Sequence, residues 1–351
     1  MSPSLLASEW VRGKMIGSGS FGVVHLAINK SNGSLFVVKS SDSQEGNQSL
    51  QNEANVLASL DSPYIVQCLG KEVSVGENGG HPKTNLFIEY MAAGSLGDVA
   101  EKLGGKLDEG VIRVYTQEIL KGLKYLHDNG IVHGDLKCQN VLLGSNGNVK
   151  LADLGCARRL RSNATTGNRK FLCGTPLWMA PEVLRNEALD FSADIWSLGC
   201  TVIEMATGKS PWGELGVSNT MAAILKIASS NELPSFPREF PKSGLDFLNK
   251  CLVRNPERRS TVDELLNHPF IKGETKAKKP EYEHMFSPLS VLDIGLGDDG
   301  YESEDSDELE ETKLRSKIPF SVRCYEKQKS PKHHTESDQM VSQENWVTIR
   351  S

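Results

Sequence analysis

One polar stretch carries the side chains best suited to take part in a chemical reaction. From His133 to Asn140 the chain reads His-Gly-Asp-Leu-Lys-Cys-Gln-Asn, which brings together an acid, a cation and a carboxamide. A second acid, Asp153, follows Asp135 by eighteen residues and stands directly before Leu154-Gly155. Phosphoryl transfer uses such a set, because one carboxylate orients a hydroxyl while another carboxylate and an amide oxygen hold metal. The spacing therefore predicts phosphoryl transfer if the chain also supplies a nucleotide site.

A glycine-rich turn near the start of the chain is the candidate nucleotide loop. Glycines at this spacing let backbone N–H groups approach phosphates closely. The pattern alone is weak, since ordinary turns and dinucleotide-binding folds also contain it. Strand residues follow the last glycine where a dinucleotide fold would begin a helix, which disfavours that alternative. The predicted loop consists of Ile16, Gly17, Ser18, Gly19, Ser20, Phe21, Gly22, Val23 and Val24.

A lysine and a glutamate follow the glycine-rich turn in a suggestive order. Lys39 ends the apolar run at residues 35–38, and Glu53 comes fourteen residues later. A single lysine at a strand end usually points to water. We predict that Glu53 opens a helix continued by Val56 and Leu57, so that its carboxylate holds Lys39 against nucleotide phosphates.

The acidic loop needs elements that position it. The apolar period from Val111 to Leu126 predicts a helix that leads into the loop. Residues 156–173 are polar and basic and predict a mobile loop. We further expect three strands within residues 8–40, a strand at 86–88, a strand pair at 141–143 and 149–151, and a buried helix at 194–205.

Composition limits the class of protein. The chain has 351 residues, enough for a two-lobed domain with an extension. Its seven cysteines lack paired short spacing, which argues for a reducing compartment and against a disulfide framework. We find no signal-peptide core, membrane-length apolar run or basic region typical of nucleic-acid binding. The expected location is the cytoplasm or the nucleus, with neither membrane nor nucleic acid as a partner.

The chain from residue 274 onward differs from the part before it. It holds 11 basic and 17 acidic residues and therefore carries the whole net charge of −6. Between Asp298 and Glu311, nine of fourteen residues are acidic and none is basic. Such a run repels itself, so residues 274–351 are predicted to form a largely disordered acidic tail.

These motifs together resemble the signature set of the eukaryotic protein kinases over roughly residues 10–270. Residues 174–183 read Gly-Thr-Pro-Leu-Trp-Met-Ala-Pro-Glu-Val and are similar to the signature of MEKK-like MAP kinase kinase kinases. The His-Gly-Asp variant and the acidic tail most resemble the plant members linked to abscisic acid and stress signalling.

The resemblance implies an α+β, bilobal protein kinase fold. Its small β-rich N-lobe with one main helix would span about residues 10–90, and a hinge would follow at 91–95. A larger, mostly helical C-lobe would span 96–271. The disordered acidic tail at 274–351 would then have a regulatory role.

The resemblance also assigns catalytic roles. Asp135 would accept the proton of the substrate hydroxyl, and Lys137 would neutralise charge on the transferring phosphoryl group. Asp153 would bind the Mg²⁺ that bridges the phosphates, and Asn140 would bind a second metal. Lys137 and Thr175, which precedes Ala-Pro-Glu, imply serine/threonine acceptors.

The remaining implied contacts concern ATP. Lys39 would contact the α- and β-phosphates and be fixed by Glu53. Ile88 stands at the gatekeeper position, and Glu89 and Met91 would offer hinge backbone contacts. Val37 replaces the usual alanine above the adenine ring and would make the roof of the pocket bulkier.

Four further residues bear on control and stability. Gly134 replaces the family's arginine beside the catalytic acid, a change we interpret as chemical rather than steric. Leu154 replaces phenylalanine and should still pack in the C-lobe. Cys156 has basic neighbours that suit a reactive thiolate, but we interpret it as a buried, inert cysteine. Arg259 is a candidate partner for Glu182.

The function implied is that of a serine/threonine protein kinase that uses ATP and Mg²⁺ and phosphorylates MAP kinase kinases. One alternative is a pseudokinase scaffold, which the presence of every key polar residue disfavours. Another is an active kinase outside the MAP kinase cascade. Ser287-Pro288 and Ser330-Pro331 are proline-directed sites, which suggests feedback by a downstream MAP kinase.

Overall fold

The computed structural model describes residues 9–19, 22–74, 83–160, 173–187, 189–213, 220–273 and 347–348. Its strands form one six-stranded sheet, one three-stranded sheet and one two-stranded ribbon. The strands are β1 (Trp10–Gly19), β2 (Gly22–Asn29), β3 (Leu35–Ser40), β4 (Cys68–Ser74), β5 (Lys83–Glu89), β6 (Gly94–Ser95), β7 (Ile131–Val132), β8 (Val141–Leu143), β9 (Val149–Leu151), β10 (Arg158–Arg159) and β11 (Val347–Thr348).

The six-stranded sheet forms most of the N-terminal lobe, in the order β11-β1-β2-β3-β5-β4 with antiparallel pairs. Alternate residues of β3 face opposite sides of the sheet. Phe36 and Val38 are buried in a small core with Phe87, and the two phenylalanine rings meet edge to face at 5.8 Å. Val37 and Lys39 consequently face the other side, toward the cleft between the lobes.

The one main helix of this lobe begins earlier than the sequence predicted. It is α1 (Gln44–Leu57), and its N-cap is Ser43, whose hydroxyl accepts a hydrogen bond from the Gly46 amide at 3.0 Å. The prediction that Glu53 opens the helix was wrong. Glu53 lies instead on the buried face in the last turns of α1, which directs its carboxylate toward β3.

The C-terminal lobe is mostly helical. Its central helix α5 is almost wholly buried, and the ring of Trp196 is inaccessible to solvent. The apolar period before the acidic loop forms the predicted helix α3, whose buried face includes Tyr115, Ile119 and Leu123. The helices are α2 (Leu96–Lys102), α3 (Glu109–Asp128), α4 (Pro181–Leu184), α5 (Phe191–Thr207), α6 (Thr220–Ser229), α7 (Lys242–Cys251), α8 (Val262–Leu266) and α9 (Pro269–Lys272).

Short strands carry the acidic loop between the lobes. The loop runs from β7 to β8, and β8 pairs with β9 as predicted. Leu151 at the end of β9 donates its amide to the Tyr64 carbonyl at 2.8 Å, which ties β9 to the N-terminal lobe. The acidic loop enters β8 at Val141, which lies opposite Leu151 at the end of β9. Because the two strands are antiparallel, the loop and Asp153 lie at the same end of the pair.

The predicted α+β, bilobal architecture is confirmed for the described residues. Of the predicted tail, Val347–Thr348 pairs with Val11 and Arg12 at the edge of the large sheet. The acidic run and the two proline-directed serines lie outside the described residues, so their disorder stays a prediction. Among the described helices, none has the length and apolar character needed to cross a bilayer.

Candidate active site

Lys39 joins the two lobes through two carboxylates. Its ammonium lies 2.8 Å from Glu53 Oε2 and 2.7 Å from Asp153 Oδ1. The Glu53 side chain is only 1% exposed, whereas that of Asp153 is 26% exposed and faces the cleft. The structure therefore brings together β3, α1 and the segment after β9. The Lys39–Glu53 pair was predicted, whereas the contact between Lys39 and Asp153 was not.

The charges of this cluster are set by burial and by pairing. Burial alone would lower the pKa of Lys39, but Asp153 and Glu53 outweigh it and raise that pKa above its usual range. Burial opposes ionisation of Asp153 too, yet Lys39 holds its pKa below the ordinary value. For Glu53 burial prevails, and its pKa is raised. A cation and an ionised carboxylate therefore stand side by side at the cleft.

Asp153 has an unusual backbone conformation. Its φ is 60°, in the left-handed region that residues other than glycine rarely adopt. This turn lets the carboxylate face Lys39 while the next side chain, Leu154, is fully buried. The predicted packing of Leu154 is confirmed. Uncommon backbone conformations of this kind tend to occur at functional sites.

The catalytic-loop candidates form a connected network. Asn140 Nδ2 donates to the Asp135 carbonyl at 2.7 Å and to Asp135 Oδ2 at 3.1 Å. The other carboxylate oxygen of Asp135 accepts from the Thr175 amide at 2.8 Å. Lys137 Nζ donates to Thr175 Oγ1 at 2.5 Å and lies 3.6 Å from Asp135 Oδ2. Two side chains, Asn140 and Lys137, and the backbone amide of Thr175 thus converge on the Asp135 carboxylate.

The carboxylate of Asp194 holds the backbone at the start of the catalytic loop. Asp194 was not among the site residues predicted from the sequence. Its carboxylate accepts from the amides of His133 at 2.8 Å and Gly134 at 3.0 Å. Burial opposes its ionisation, but His127 beside it at 2.9 Å holds the pKa of Asp194 below the ordinary value. An acid in the first turn of an otherwise apolar helix was the available signal, because a buried carboxylate needs partners.

The backbone conformation at position 134, and the space around it, both favour glycine. The φ of Gly134 is +79°, and a Cβ added there would lie 2.9 Å from the carbonyl oxygen of Cys156. The interpretation that the glycine matters chemically rather than sterically was therefore wrong in part. Glycine adopts this conformation without strain, whereas a side chain would also crowd Cys156.

Cys156 is bonded rather than free. It is 3% exposed and forms a disulfide with Cys173, with the two Cα atoms 5.4 Å apart. The prediction of a free, inert thiol was wrong, and one disulfide is present although the spacing of the cysteines argued against a disulfide framework. Four other cysteines of the described chain are free. Residues 161–172, the centre of the predicted mobile loop, lie outside the described residues, and Arg158–Arg159 before them pair with β7.

The segment after Thr175 is fixed by a buried ion pair. Arg259 Nη1 lies 2.8 Å from Glu182 Oε1, and its Nη2 lies 3.1 Å from Oε2, so the predicted pairing is confirmed. Both side chains are almost fully buried. A two-point pair of this kind holds both groups in one orientation.

The glycine-rich turn joins β1 to β2 over the cleft. Ile16, Gly17, Ser18 and Gly19 end β1, and Gly22, Val23 and Val24 begin β2, with Ser18 opposite Val23. Gly22 has φ +140°, and an added Cβ would clash with the Ser40 carbonyl. Glycine is therefore required there. Ser20 and Phe21 lie outside the described residues.

The hinge closes the other side of the cleft. Val37 faces Ile88 across the β3–β5 pair, and Met91 is buried. The Glu89 carboxylate accepts from Lys150 Nζ at 2.6 Å, a contact between the lobes that the sequence did not suggest. A cavity of about 540 Å³ lies beside the hinge. It is lined by Ile16, Ala92, Ala93, Gly94, Asp98, Glu101 and Lys102.

The donor set suits a metal that is shared with phosphate. Within the described part of the chain, no three His, Cys, Asp or Glu side chains gather into a metal site. Asp153 and Asn140 supply a carboxylate and an amide oxygen, which are hard ligands. Mg²⁺ is commonly held by one or two such ligands together with substrate phosphates and water. The residues therefore fit Mg²⁺ bound with a nucleotide.

Comparison with known proteins gives one family. The model of the protein kinase domain matches residues 10–271. Mitogen-activated protein kinase kinase kinases 20 and 17 of Arabidopsis thaliana are 42% and 40% identical, over 75% and 81% of this chain and 78% and 76% of their own lengths. Mitogen-activated protein kinase kinase kinase 3 of the same plant is 40% identical over 79% of this chain, which spans only 42% of that relative.

Proposed function

This chain belongs to the protein kinase family, and we propose that it is a MAP kinase kinase kinase, which uses ATP to phosphorylate serine and threonine hydroxyls of MAP kinase kinases. Lys39 carries this proposal most directly, because it is paired with both Glu53 and Asp153. A pseudokinase usually lacks at least one of these three residues. Here Lys39 is in contact with both carboxylates.

Lys39 and the glycine-rich turn would bind the phosphates of ATP. Lys39 remains cationic because its two carboxylates raise its pKa. Val24, which begins the strand after the glycine-rich turn, lies opposite Lys39 in the β2–β3 pair. The backbone of Glu89 and Met91 would border the base end of the cleft. Val37 on the roof would narrow the space above the adenine and lower nucleotide affinity.

Asp135 would orient the acceptor hydroxyl and take its proton. Two of its contacts, from Thr175 and Asn140, hold the carboxylate in one orientation. Lys137 lies 3.6 Å from it and would stabilise negative charge that builds up on the phosphoryl oxygens. A positioned base and a fixed cation lower the barrier without covalent chemistry.

Asp153 and Asn140 would hold Mg²⁺. The metal, when bound, neutralises charge on the β- and γ-phosphates. The protein's share is to keep the Asp153 carboxylate ionised and turned toward the cleft, which Lys39 and the left-handed backbone do together.

The acceptor class follows from Thr175. Its hydroxyl accepts from Lys137 while its amide donates to Asp135. This arrangement brings the segment after Thr175 close to the catalytic carboxylate and would leave room for a short serine or threonine side chain. The names of the relatives support MAP kinase kinases as the protein substrates.

The pathway and its feedback belong to the same proposal. The resemblance to the stress-linked plant members supports a role in stress and abscisic acid signalling. Feedback by a downstream MAP kinase would modify Ser287 and Ser330, both outside the described residues. A mass spectrum with both serines unmodified after incubation with active MAP kinase would remove the feedback proposal.

A panel of acceptors tests the substrate proposal. The purified chain is incubated with labelled ATP and a series of catalytically inactive MAP kinase kinases, next to unrelated kinases inactivated in the same way. We expect transfer to serine or threonine in the activation loop of a subset of the MAP kinase kinases. Efficient transfer to generic acceptors but to no MAP kinase kinase would favour the alternative of a kinase outside that cascade.

A further inference from the structure

The disulfide between Cys156 and Cys173 spans the two ends of the activation segment. Cys156 follows Gly155 directly, and Cys173 stands two residues before Thr175. Seventeen residues separate the two cysteines along the chain, yet their Cα atoms lie 5.4 Å apart. The bond therefore links the metal-binding motif to the segment that contacts Asp135.

The catalytic loop runs between these two ends. A Cβ added at Gly134 would lie 2.9 Å from the Cys156 carbonyl, and one added at Gly174 would lie 2.6 Å from the Gly134 carbonyl. The backbones of these three residues are therefore in close contact. The disulfide, the loop and the Thr175–Asp135 hydrogen bond form one continuous contact region.

Gly134 supplies no cation at the position directly before Asp135. An arginine at this position could hold an activation-loop phosphate and thereby fix the segment. Glycine has no side chain to do so, and the disulfide connects the same elements covalently. A crosslink reduces the conformational freedom of the chain that it closes, so it favours the position of Thr175 seen here.

We propose that Cys156 and Cys173 are a reversible redox pair, and that the oxidised form holds Thr175 in the active arrangement. The inference rests on the kinase activity proposed above. It adds hydrogen peroxide and thiol reductants as the chemical agents that modify the site. The described structure is the oxidised form, and in it Lys39, Glu53 and Asp153 are also in contact.

Reduction and oxidation of the Cys156–Cys173 pair each need only one reactant besides the protein. In reduction, the thiolate of a dithiol attacks Cys173 Sγ, the Cys156 thiolate leaves and is protonated, and the second thiol of the reductant displaces Cys173 as its own disulfide forms. In oxidation, the Cys173 thiolate attacks one oxygen of hydrogen peroxide, the O–O bond breaks, hydroxide leaves and is protonated to water, and Cys173 becomes a sulfenic acid. Cys156 then attacks that sulfur, the disulfide forms and water is released.

Exposure favours Cys173 as the sulfur that reacts first. Cys173 is half-buried, whereas Cys156 is 3% exposed. Burial raises the thiol pKa of Cys138, Cys200 and Cys251, so these cysteines react slowly. Cys68 in β4 is the half-buried free cysteine of the described chain and therefore serves as the matched control.

The test compares redox forms of the full chain. The purified protein is treated with dithiothreitol or with hydrogen peroxide, the excess is removed, and transfer to a generic serine/threonine acceptor is measured. We expect reduction to lower kcat/KM about fivefold or more, and oxidation to restore it. Cys156→Ser and Cys173→Ser should both keep the lower value under either treatment, and Cys68→Ser should respond like the wild type.

Equal activity of the two forms, or a redox response that survives in Cys156→Ser and Cys173→Ser, would overturn the inference. Nucleotide-induced shifts in melting temperature show whether each variant is folded. Hydrogen exchange at the Thr175 amide supplies a readout independent of catalysis, and we expect slower exchange in the oxidised form. If the chain transfers no phosphate in either form, the proposed function fails. The exchange result then decides the inference, and equal exchange in both forms overturns it.

Discussion

The ammonium of Lys137 donates a hydrogen bond to the hydroxyl of Thr175 at 2.5 Å, although thirty-eight residues separate them along the chain. The same threonine donates its amide to Asp135. Thr175 thus contacts both the base and the cation of the catalytic loop. The hydroxyl can accept from Lys137 only when the loop and this segment are folded together. A substitution at Thr175 therefore tests whether the arrangement contributes to catalysis.

Thr175→Ala removes that hydroxyl and keeps the backbone contact. We expect kcat/KM to fall roughly tenfold or more, about 1.4 kcal/mol of transition-state stabilisation. Thr175→Ser is the matched control, because it retains the oxygen that accepts from Lys137, and it should keep most of the activity. Steady-state kinetics on a serine/threonine acceptor measure both. If alanine and serine behave alike, the Lys137–Thr175 contact does not contribute to catalysis.

Gly134 predicts that phosphorylation of the activation loop modulates activity and is not required for it. The triple variant Ser162→Ala, Thr165→Ala, Thr166→Ala should keep kcat/KM within about threefold of the wild type, because the catalytic loop has no arginine to bind a loop phosphate. These residues lie outside the described part of the chain. A triple variant without activity that acidic substitutions at the same positions restore would show that this reading of Gly134 is wrong.

The ion pair between Glu182 and Arg259 should matter for stability. Glu182→Gln leaves a buried guanidinium without its counter-charge, which costs about 3–5 kcal/mol. Glu187→Gln is the control, because Glu187 pairs with Arg185 at an exposed site, where loss of the pair should change the free energy of unfolding far less. Denaturant unfolding compares the two. Similar losses for both variants would contradict the assignment of Arg259 as a structural anchor.

Glu204 should make stability depend on pH. This partly buried carboxylate of α5 accepts from the Cys138 amide at 3.1 Å and from Trp178 Nε1 at 3.0 Å, and loss of solvation raises its pKa. A carboxyl with a higher pKa in the folded state binds its proton more tightly there. The stability that protonated Glu204 contributes is therefore present below the unfolded value of about 4.3 and is lost as pH rises through the raised pKa of the folded state.

Glu204→Gln keeps an acceptor oxygen and removes the charge. Its Tm relative to the wild type should therefore increase as pH rises from about 4.3, the unfolded value, through the raised pKa of the folded state. Thermal unfolding at a series of pH values measures the difference. A difference that is constant over this range, or that shrinks as pH rises, would mean that Glu204 is not held with a raised pKa.

Local patterns predicted much of the fold and of the nucleotide site. The two-residue period of β3 places Lys39 and Val37 on one face, and the helical period before His133 delivers the loop. The helix start was harder to predict, because Gly46 and Asn47 are poor helix formers and the cap at Ser43 decides the boundary. Tertiary packing then places Glu53 toward the end of α1.

The missed features all depend on contacts that the order of residues does not fix. Asp194 reaches the His133 amide from sixty-one residues away. The partner of Cys156 is set by the path of the activation segment, and spacing between cysteines says nothing about that path. The positive φ of Gly134 likewise arises from its packing against Cys156.

Transfer of labelled γ-phosphate to a catalytically inactive MAP kinase kinase tests the central claim most directly. The wild type should label it on serine or threonine, and Asp135→Asn should reduce kcat by about a hundredfold or more. Lys39→Met, which removes the ion pairs with Glu53 and Asp153, should also lose activity. A purified, folded wild type that binds ATP but labels no acceptor above the level of Asp135→Asn would contradict the account and favour a pseudokinase scaffold.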